Sequence, residues 1–291
     1  MSSTPIKTDN KLGSASIGSL LWTYSLPAII GTMVSSLYNV IDRIFIGHGV
    51  GALAISGLAL TFPFMNLLFA FGMLVGVGAA SRISISLGEN NIEKSNKILA
   101  NALILNLIII GPVVILSLIF MTDILMHFGG SENTIKYAED FMIIIIPAML
   151  VATLNFSFNN IMRASGYPKK AMYTMFISAV INVILAPLFI FVFGWGIKGA
   201  ATATAISMLA SCVWVMSHFF KKKSAIRFQK KYFALDKDIV TSILGIGISP
   251  FTMQIAMSFI IILMNQALMA HGGDLAIGAL GIQNSIVSLI I

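Results

Sequence analysis

Along the chain, apolar positions gather into long unbroken runs separated by short polar breaks. These runs predict eight helices, at about 17 to 46, 52 to 86, 92 to 121, 134 to 162, 169 to 193, 197 to 220 and 237 to 269, and one that begins near 275. The first seven all exceed the roughly 20 residues needed to cross a bilayer. Helices are the only reading, because within lipid only helices and closed barrels satisfy the backbone, and runs this long lack the alternating pattern of barrel strands. The breaks carry helix punctuation. Gly88 stops the second run, Asn90 or Asn91 can cap the third with Glu93 in its first turn, and Gly129-Gly130-Ser131 and Gly166-Tyr167-Pro168 mark the next two turns. Pro27, Pro63, Pro112, Pro147, Pro187 and Pro250 fall inside apolar runs, where a missing N–H and a ring clash produce kinks.

Composition agrees with this pattern. Of the 291 residues, 57% are hydrophobic and 10% charged, with a mean hydropathy of +0.94, whereas soluble domains carry about 25% charged residues. The chain is therefore an all-α polytopic membrane protein. Met1 to Lys11 is polar, and the first apolar run is too long for the core of a cleaved signal peptide. The single cysteine, Cys212, lies in an apolar stretch beside Trp214; it offers neither a disulfide framework nor a metal cluster and reads as a small packing residue.

A net charge of +7 could mark a nucleic-acid binder, so the placement of the basic residues decides. Only Arg43, Lys136 and Lys198 of the 18 Lys and Arg fall on the odd-numbered side of the predicted helices; the other 15 lie at the N-terminus or in the even-numbered breaks. By the positive-inside rule this predicts a multi-pass plasma-membrane protein with a cytoplasmic N-terminus, and no nucleic-acid partner. The basic run from Lys221 to Lys237 reads as a solvated cytoplasmic connector.

The chain also repeats itself. When Pro27 is aligned with Pro250, Ser35 meets Ser258, Asp42 meets Asn265 and His48 meets His271. Six predicted helices separate the start of one copy from the start of the next, an even number, so both enter the membrane in the same direction. We therefore expect the first six-helix lobe of a twelve-helix, two-lobe protein plus the start of its second lobe. Residues 1–220 form the N-lobe, 221–236 the basic connector, and 237–291 the first C-lobe helix and a truncated second one. On this reading the C-lobe is incomplete, its two segments are held loosely, and the 291-residue chain does not transport by itself.

Candidate chemistry is sparse. Asp42 is an acid inside an otherwise apolar run, and a carboxylate within a membrane helix normally faces a bundle interior or wet cavity and marks an ion or proton path. Its alternative is an interfacial ion pair with Arg43, because it lies about 37 Å along a helix begun at Ile17. Tyr38 and Asn39 accompany it; Asn155, Asn159 and Asn160 fall in the fourth run, Asn182 in the fifth, and Thr202, Thr204 and Ser207 in the sixth. Each Asn and Thr could equally join helices to one another. Gly72, Gly76 and Ala80 form a stripe of small residues that lets another helix approach closely. The four histidines lie near helix ends, and no hydrolytic triad or zinc-protease spacing occurs, so an enzyme is not expected.

Five ordered stretches carry a resemblance over nearly the whole chain: Pro27 through Asp42-Arg-Ile-Phe-Ile-Gly47, Gly76-Val-Gly-Ala-Ala80 running to Leu87-Gly88, Arg163-Ala-Ser-Gly-Tyr-Pro-Lys-Lys170, Asn182-Val-Ile-Leu-Ala-Pro187, and Gly194 to Thr204. Together they resemble the multidrug and toxic compound extrusion (MATE) family. The resemblance implies a cation-coupled antiporter that exports organic cations, drugs or other amphipathic small molecules across the bilayer. It needs no cofactor beyond the coupling H+ or Na+. It also implies that Asp42 binds the coupling cation, with Tyr38, Asn159, Asn182 and Thr204 around it. In the family an acid often follows the Asn182 position by one turn, but here Ala186 stands there. That departure favours a proton at Asp42 over sodium held by Asp42, Asn182 and Thr204. Two alternatives remain at this point: a lipid-linked saccharide flippase of the same superfamily, and a non-transporting membrane assembly factor.

Overall fold

The computed structural model describes residues 16–221 and 224–287, the Leu20 side chain excepted. Lys7, Lys11, Lys222 and Lys223 of the charge count, the polar Met1 to Lys11 stretch, and the last four residues of the eighth run lie outside the described residues. The described chain is helical almost throughout: α1 (Ile17–Gly49), α2 (Ala52–Gly88), α3 (Ile92–Ile119), a short α4 (Met121–His127), α5 (Ile135–Ala164), α6 (Pro168–Pro187), α7 (Gly196–Phe220) and α8 (Lys237–Val287). Seven of these are long and apolar enough to cross a membrane.

Local chemistry sets most of the boundaries. Asn91 caps α3, its side chain accepting the Lys94 N–H at 2.9 Å. Pro168 opens α6, where a missing N–H costs nothing. Two predicted helices end early. The third stops at Ile119 and continues as α4, and the fifth loses α-helical pairing at Pro187. Beyond that proline a π-turn, Leu188–Val192, follows, with the Phe193 N–H bonding the Leu188 carbonyl at 3.0 Å.

α8 contains both the seventh and eighth predicted helices. At 51 residues it would run about 76 Å if straight, far beyond the roughly 30 Å hydrocarbon core. It is broken at Gly273, whose φ of 65° and ψ of −166° suit glycine alone. Contacts with α2 show a reversal there. Residues 243, 247 and 251 meet 78, 74 and 71 of α2, an antiparallel register, whereas Gly278 and Gly281 meet Ser56 and Ala59, a parallel one.

α2 is the central helix, packed on α8, α5 and α3. The small-residue stripe behaves as expected: Gly72 lies against Thr153 and Gly76 against Ser157, whose hydroxyl donates to the Gly72 carbonyl at 3.0 Å. The α2–α8 contact is closer still. A β-carbon on Gly247 would sit 1.7 Å from the Leu74 carbonyl oxygen, and one on Gly78 2.1 Å from that of Ile243. The expectation that the seventh segment is loosely held is therefore corrected on this face. Its opposite face stays uncovered, with Met253, Phe259 and Leu263 exposed.

The connector is another correction. It is not freely solvated, because two asparagines of α3 strap it down. The Asn96 side chain accepts the Arg227 N–H at 2.8 Å; Asn101 accepts the Asp236 N–H at 2.9 Å and donates to the Ala234 carbonyl at 3.1 Å. Ile226 and Tyr232 are buried, and the Asp236 carboxylate caps the start of α8. These contacts gather Arg82, Lys94, Lys97, Arg163 and the connector at one end of the bundle, called here the basic end.

The two sequence copies also share local geometry. His48 and His271 each bond the carbonyl four residues back at 2.9 Å, and Asn265, at the Asp42 position of the second copy, is buried with its Nδ2 unpartnered.

Candidate functional site

Asp42 lies in the last third of α1, seven residues from the end of that helix. α1 runs parallel to α6, Gly31 backing onto Met175 and Gly49 onto Ile190 and Phe191. Interpolating between these contacts puts Asp42 opposite the turn that carries Asn182 and Ala186. Asp42 Oδ1 is shielded from solvent and has no hydrogen-bond partner. Tyr38 lies one turn away on the same face of α1, both residues half-buried.

Asn182 and Thr204 are brought together. The Asn182 amide donates to Thr204 Oγ1 at 3.0 Å, joining α6 to α7, and both residues are buried. Asn182 Oδ1 is left without a partner. Two shielded acceptors, one a carboxylate and one an amide oxygen, thus stand at the same level of adjacent helices. A buried acceptor with no donor is costly, and a proton on the carboxyl, or a small cation, supplies what each lacks. Ala186 is fully buried beside them and contributes no ligand.

Asn159 is placed elsewhere. Its amide donates to the Ala171 carbonyl at 2.9 Å, and its oxygen accepts Arg163 Nη2 at 2.7 Å and Nε at 3.3 Å. Ala171 lies eleven residues below Asn182 on α6, about 16 Å along the axis. Asn159 therefore ties α5 to α6 at the basic end, away from Asp42. Asn155, one turn further into the bundle, donates instead to Ser211 Oγ at 3.0 Å.

The interfacial ion pair considered for Asp42 is not formed: among the described residues Asp42 and Arg43 do not meet within ion-pair distance. Neighbouring positions on a helix point in different directions. Arg43 is 7% exposed, lies 4.3 Å from the Phe62 ring centroid and backs onto Gly281 of the second α8 limb, with Nη1 unpartnered.

Sequence reading overlooked the α3 asparagines. Asn96, Asn101 and Asn106 recur every five residues in an apolar run, and that spacing could have flagged them; Asn106 Oδ1 lies 3.1 Å from the Ser157 hydroxyl and shares its hydrogen with the Gly72 carbonyl. Among the described residues no cluster of three or more His, Cys, Asp or Glu could hold a metal ion. A solvent-open cavity of about 520 Å³ lies at the basic end, lined by Arg82, Lys94, Lys97, Asp236 and Asp238. Its mixed charge and its distance from Asp42 separate it from this site.

Comparison with known proteins places these features in context. The MatE family pattern matches residues 27–188. The multidrug export protein MepA of Staphylococcus aureus (strain NCTC 8325 / PS 47) is 33% identical over 264 residues, covering 91% of this chain and 58% of its own length. MepA of Staphylococcus haemolyticus (strain JCSC1435) is 30% identical over 94% of this chain and 60% of its own. The solved structure of the MATE multidrug transporter DinF-BH superposes with a TM-score of 0.89 at 31% identity, covering 96% of this chain and 62% of that one. The chain thus spans roughly three-fifths of the length of these relatives.

Proposed function

The chain belongs to the MatE family, whose members are membrane transporters and not enzymes, and from that premise we propose that it forms the N-lobe and the first part of the C-lobe of a proton-coupled exporter of organic cations, drugs or other amphipathic compounds. Its homologues are multidrug transporters. The two-lobe reading is supported by the internal repeat and by the greater length of the relatives. The charge distribution supports an orientation with the basic end, and so the N-terminus, in the cytoplasm.

One observation carries the coupling assignment: the unpartnered, shielded carboxylate oxygen of Asp42, level with the Asn182–Thr204 pair and its own unpartnered oxygen. A charged carboxylate is poorly tolerated in a dry site and well tolerated in a wet one. Protonation of Asp42 would therefore favour a closed, drier lobe, and loss of the proton a hydrated one, so that the proton gradient biases the equilibrium between two states of the lobe. Tyr38 flanks the carboxyl and can hydrogen-bond to either form. Sodium would find one carboxylate, one amide oxygen and one hydroxyl here, but no second acid, because Ala186 occupies that turn.

The test is Asp42→Asn in the intact two-lobe transporter. Dye transport driven by a pH gradient should fall to the level of protein-free vesicles, while membrane insertion and purification yield stay unchanged. Transport at wild-type rate in that variant would remove Asp42 from the coupling role.

A further inference from the structure

The contact between α6 and α7 continues well past Asn182 and Thr204. On α6, Asn182, Ser178, Thr174 and Lys170 recur every fourth residue and so make one stripe, about 18 Å long, that ends at the basic end. Thr204, Ser207, Ser211 and His218 make the facing stripe on α7. Ser178 Oγ donates to Ser207 Oγ at 3.4 Å, Ser207 donates in turn to the Thr204 carbonyl at 2.8 Å, and Asn155 of α5 adds its bond to Ser211. At the basic end Lys170 Nζ lies 3.4 Å from His218 Nδ1, and His218 Nε2 lies 3.1 Å from Ser224 Oγ. A lysine ammonium can only donate, so Nδ1 accepts and Nε2 carries the hydrogen of a neutral imidazole. Ser207, Ser211 and His218 are buried, while Lys170 is exposed.

Two features distinguish this row from ordinary helix-joining contacts. Pairs that serve only to join helices are saturated, yet here the amides of Asn182 and Asn155 each place their NH2 in the row and leave a shielded oxygen without a partner. Such oxygens are the acceptors a bridging water uses. The row also lies between two chemically meaningful points, the level of Asp42 and an exposed cation at the solvent boundary, with Thr174 Oγ1 donating to the Lys170 carbonyl at 3.3 Å in the stretch between. Elsewhere α6 and α7 turn apolar residues outward, as at Val180, Ile184, Leu209 and Val213.

We propose that this seam is the route by which a proton passes between solvent at the basic end and the Asp42 carboxyl. Hydroxyls suit the task because each both accepts and donates. A proton arriving at one oxygen is held there as that group's own proton moves on, so no seam group ends with a changed charge. The net transfer is one proton from water at the Lys170 end to the Asp42 carboxylate. Ser178 and Ser207 are the step to remove, since among the described residues theirs is the side-chain bond that spans α6 and α7 on that turn. The proposal rests on the reading of Asp42 as the coupling carboxyl, and the test keeps the two apart.

The 291-residue chain reconstituted in liposomes is followed by infrared spectroscopy during exchange into D2O. The carboxyl band of Asp42 is identified by its loss in Asp42→Asn, and its rate of deuterium shift is measured without any need for transport. Removing both hydroxyls in Ser178→Ala/Ser207→Ala should slow that shift about tenfold, the effect of one lost hydrogen bond at a rate-limiting step. Ser207→Thr, which keeps a hydroxyl, should restore the rate. An unchanged rate in the alanine pair, with the band intact, overturns the seam and leaves the coupling reading standing. Absence of any Asp42 band on acidification overturns the coupling reading itself, and the seam with it. Should the alanine pair fail to fold, Ser178→Ala alone, at a half-buried position, carries the same two outcomes.

Discussion

Two interfaces of this bundle are built on opposite principles. Between α2 and the first limb of α8 the backbones touch: Gly247 and Gly78 leave no room for even a methyl group against the carbonyls of Leu74 and Ile243. Between α6 and α7 the contact runs through polar side chains, with hydroxyls and amides bonding across it. The first contact depends on shape and is rigid, because any added atom must displace main chain. The second depends on chemistry, and each bond within it is weak and replaceable. The coupling proposed for Asp42 would use both kinds: a fixed joint to move about, and a seam whose bonding can be rearranged without unpacking the core.

This contrast is broken most severely at the joint. Gly247→Ala should destabilise the folded chain by about 3 kcal/mol or more, since overpacking here cannot be relieved by a side-chain rotation. The readout is loss of the monodisperse species on heating in detergent, and wild-type thermal behaviour would mean that α8 can slide along α2. At the seam the expected effect is smaller. Asn182→Leu removes the bond to Thr204 and should cost about 1 kcal/mol, the usual scale for an interhelical hydrogen bond in a membrane, while pH-driven transport by the two-lobe protein is lost. A stability loss as large as that at Gly247 would make the seam a structural joint as well. The smallest effect should come from Val213→Ala on the outward face of α7, 61% exposed, where a change within about 0.5 kcal/mol is expected. A larger loss would show that this face is covered by protein and not by lipid.

Most of the bundle was legible from the apolar runs because their lengths and their Gly, Asn and Pro punctuation are local properties. The helix reversal at Gly273 could be anticipated from the break between the seventh and eighth runs, and the α2 stripe announced a close neighbour. What the sequence hid was non-local. Nothing in the run from Lys221 to Lys237 says that Asn96 and Asn101, more than a hundred residues earlier, hold it in place. The candidate site divides in the same way. Asp42 stood out because a lone acid in an apolar run is costly, and the Asn182–Thr204 contact follows from adjacent helices meeting in register. Asn159 looked like its partner only by correspondence with the family. The structure gives it to Arg163 and Ala171, since its depth along α5 could not be compared with that of Asp42 until the helices were placed side by side.

The amide at Asn265 has a consequence for the history of such a molecule. If the two copies descend from one duplicated ancestor, the descendant helices kept the same proline, the same terminal histidine geometry and a polar side chain of the same outline, and differ in whether that side chain can ionise. An amide preserves the volume of an acid and forgoes its charge. The two copies thus differ at this position by one heavy atom in a side chain, so that one carries a group that can ionise and the other a group of the same outline that cannot.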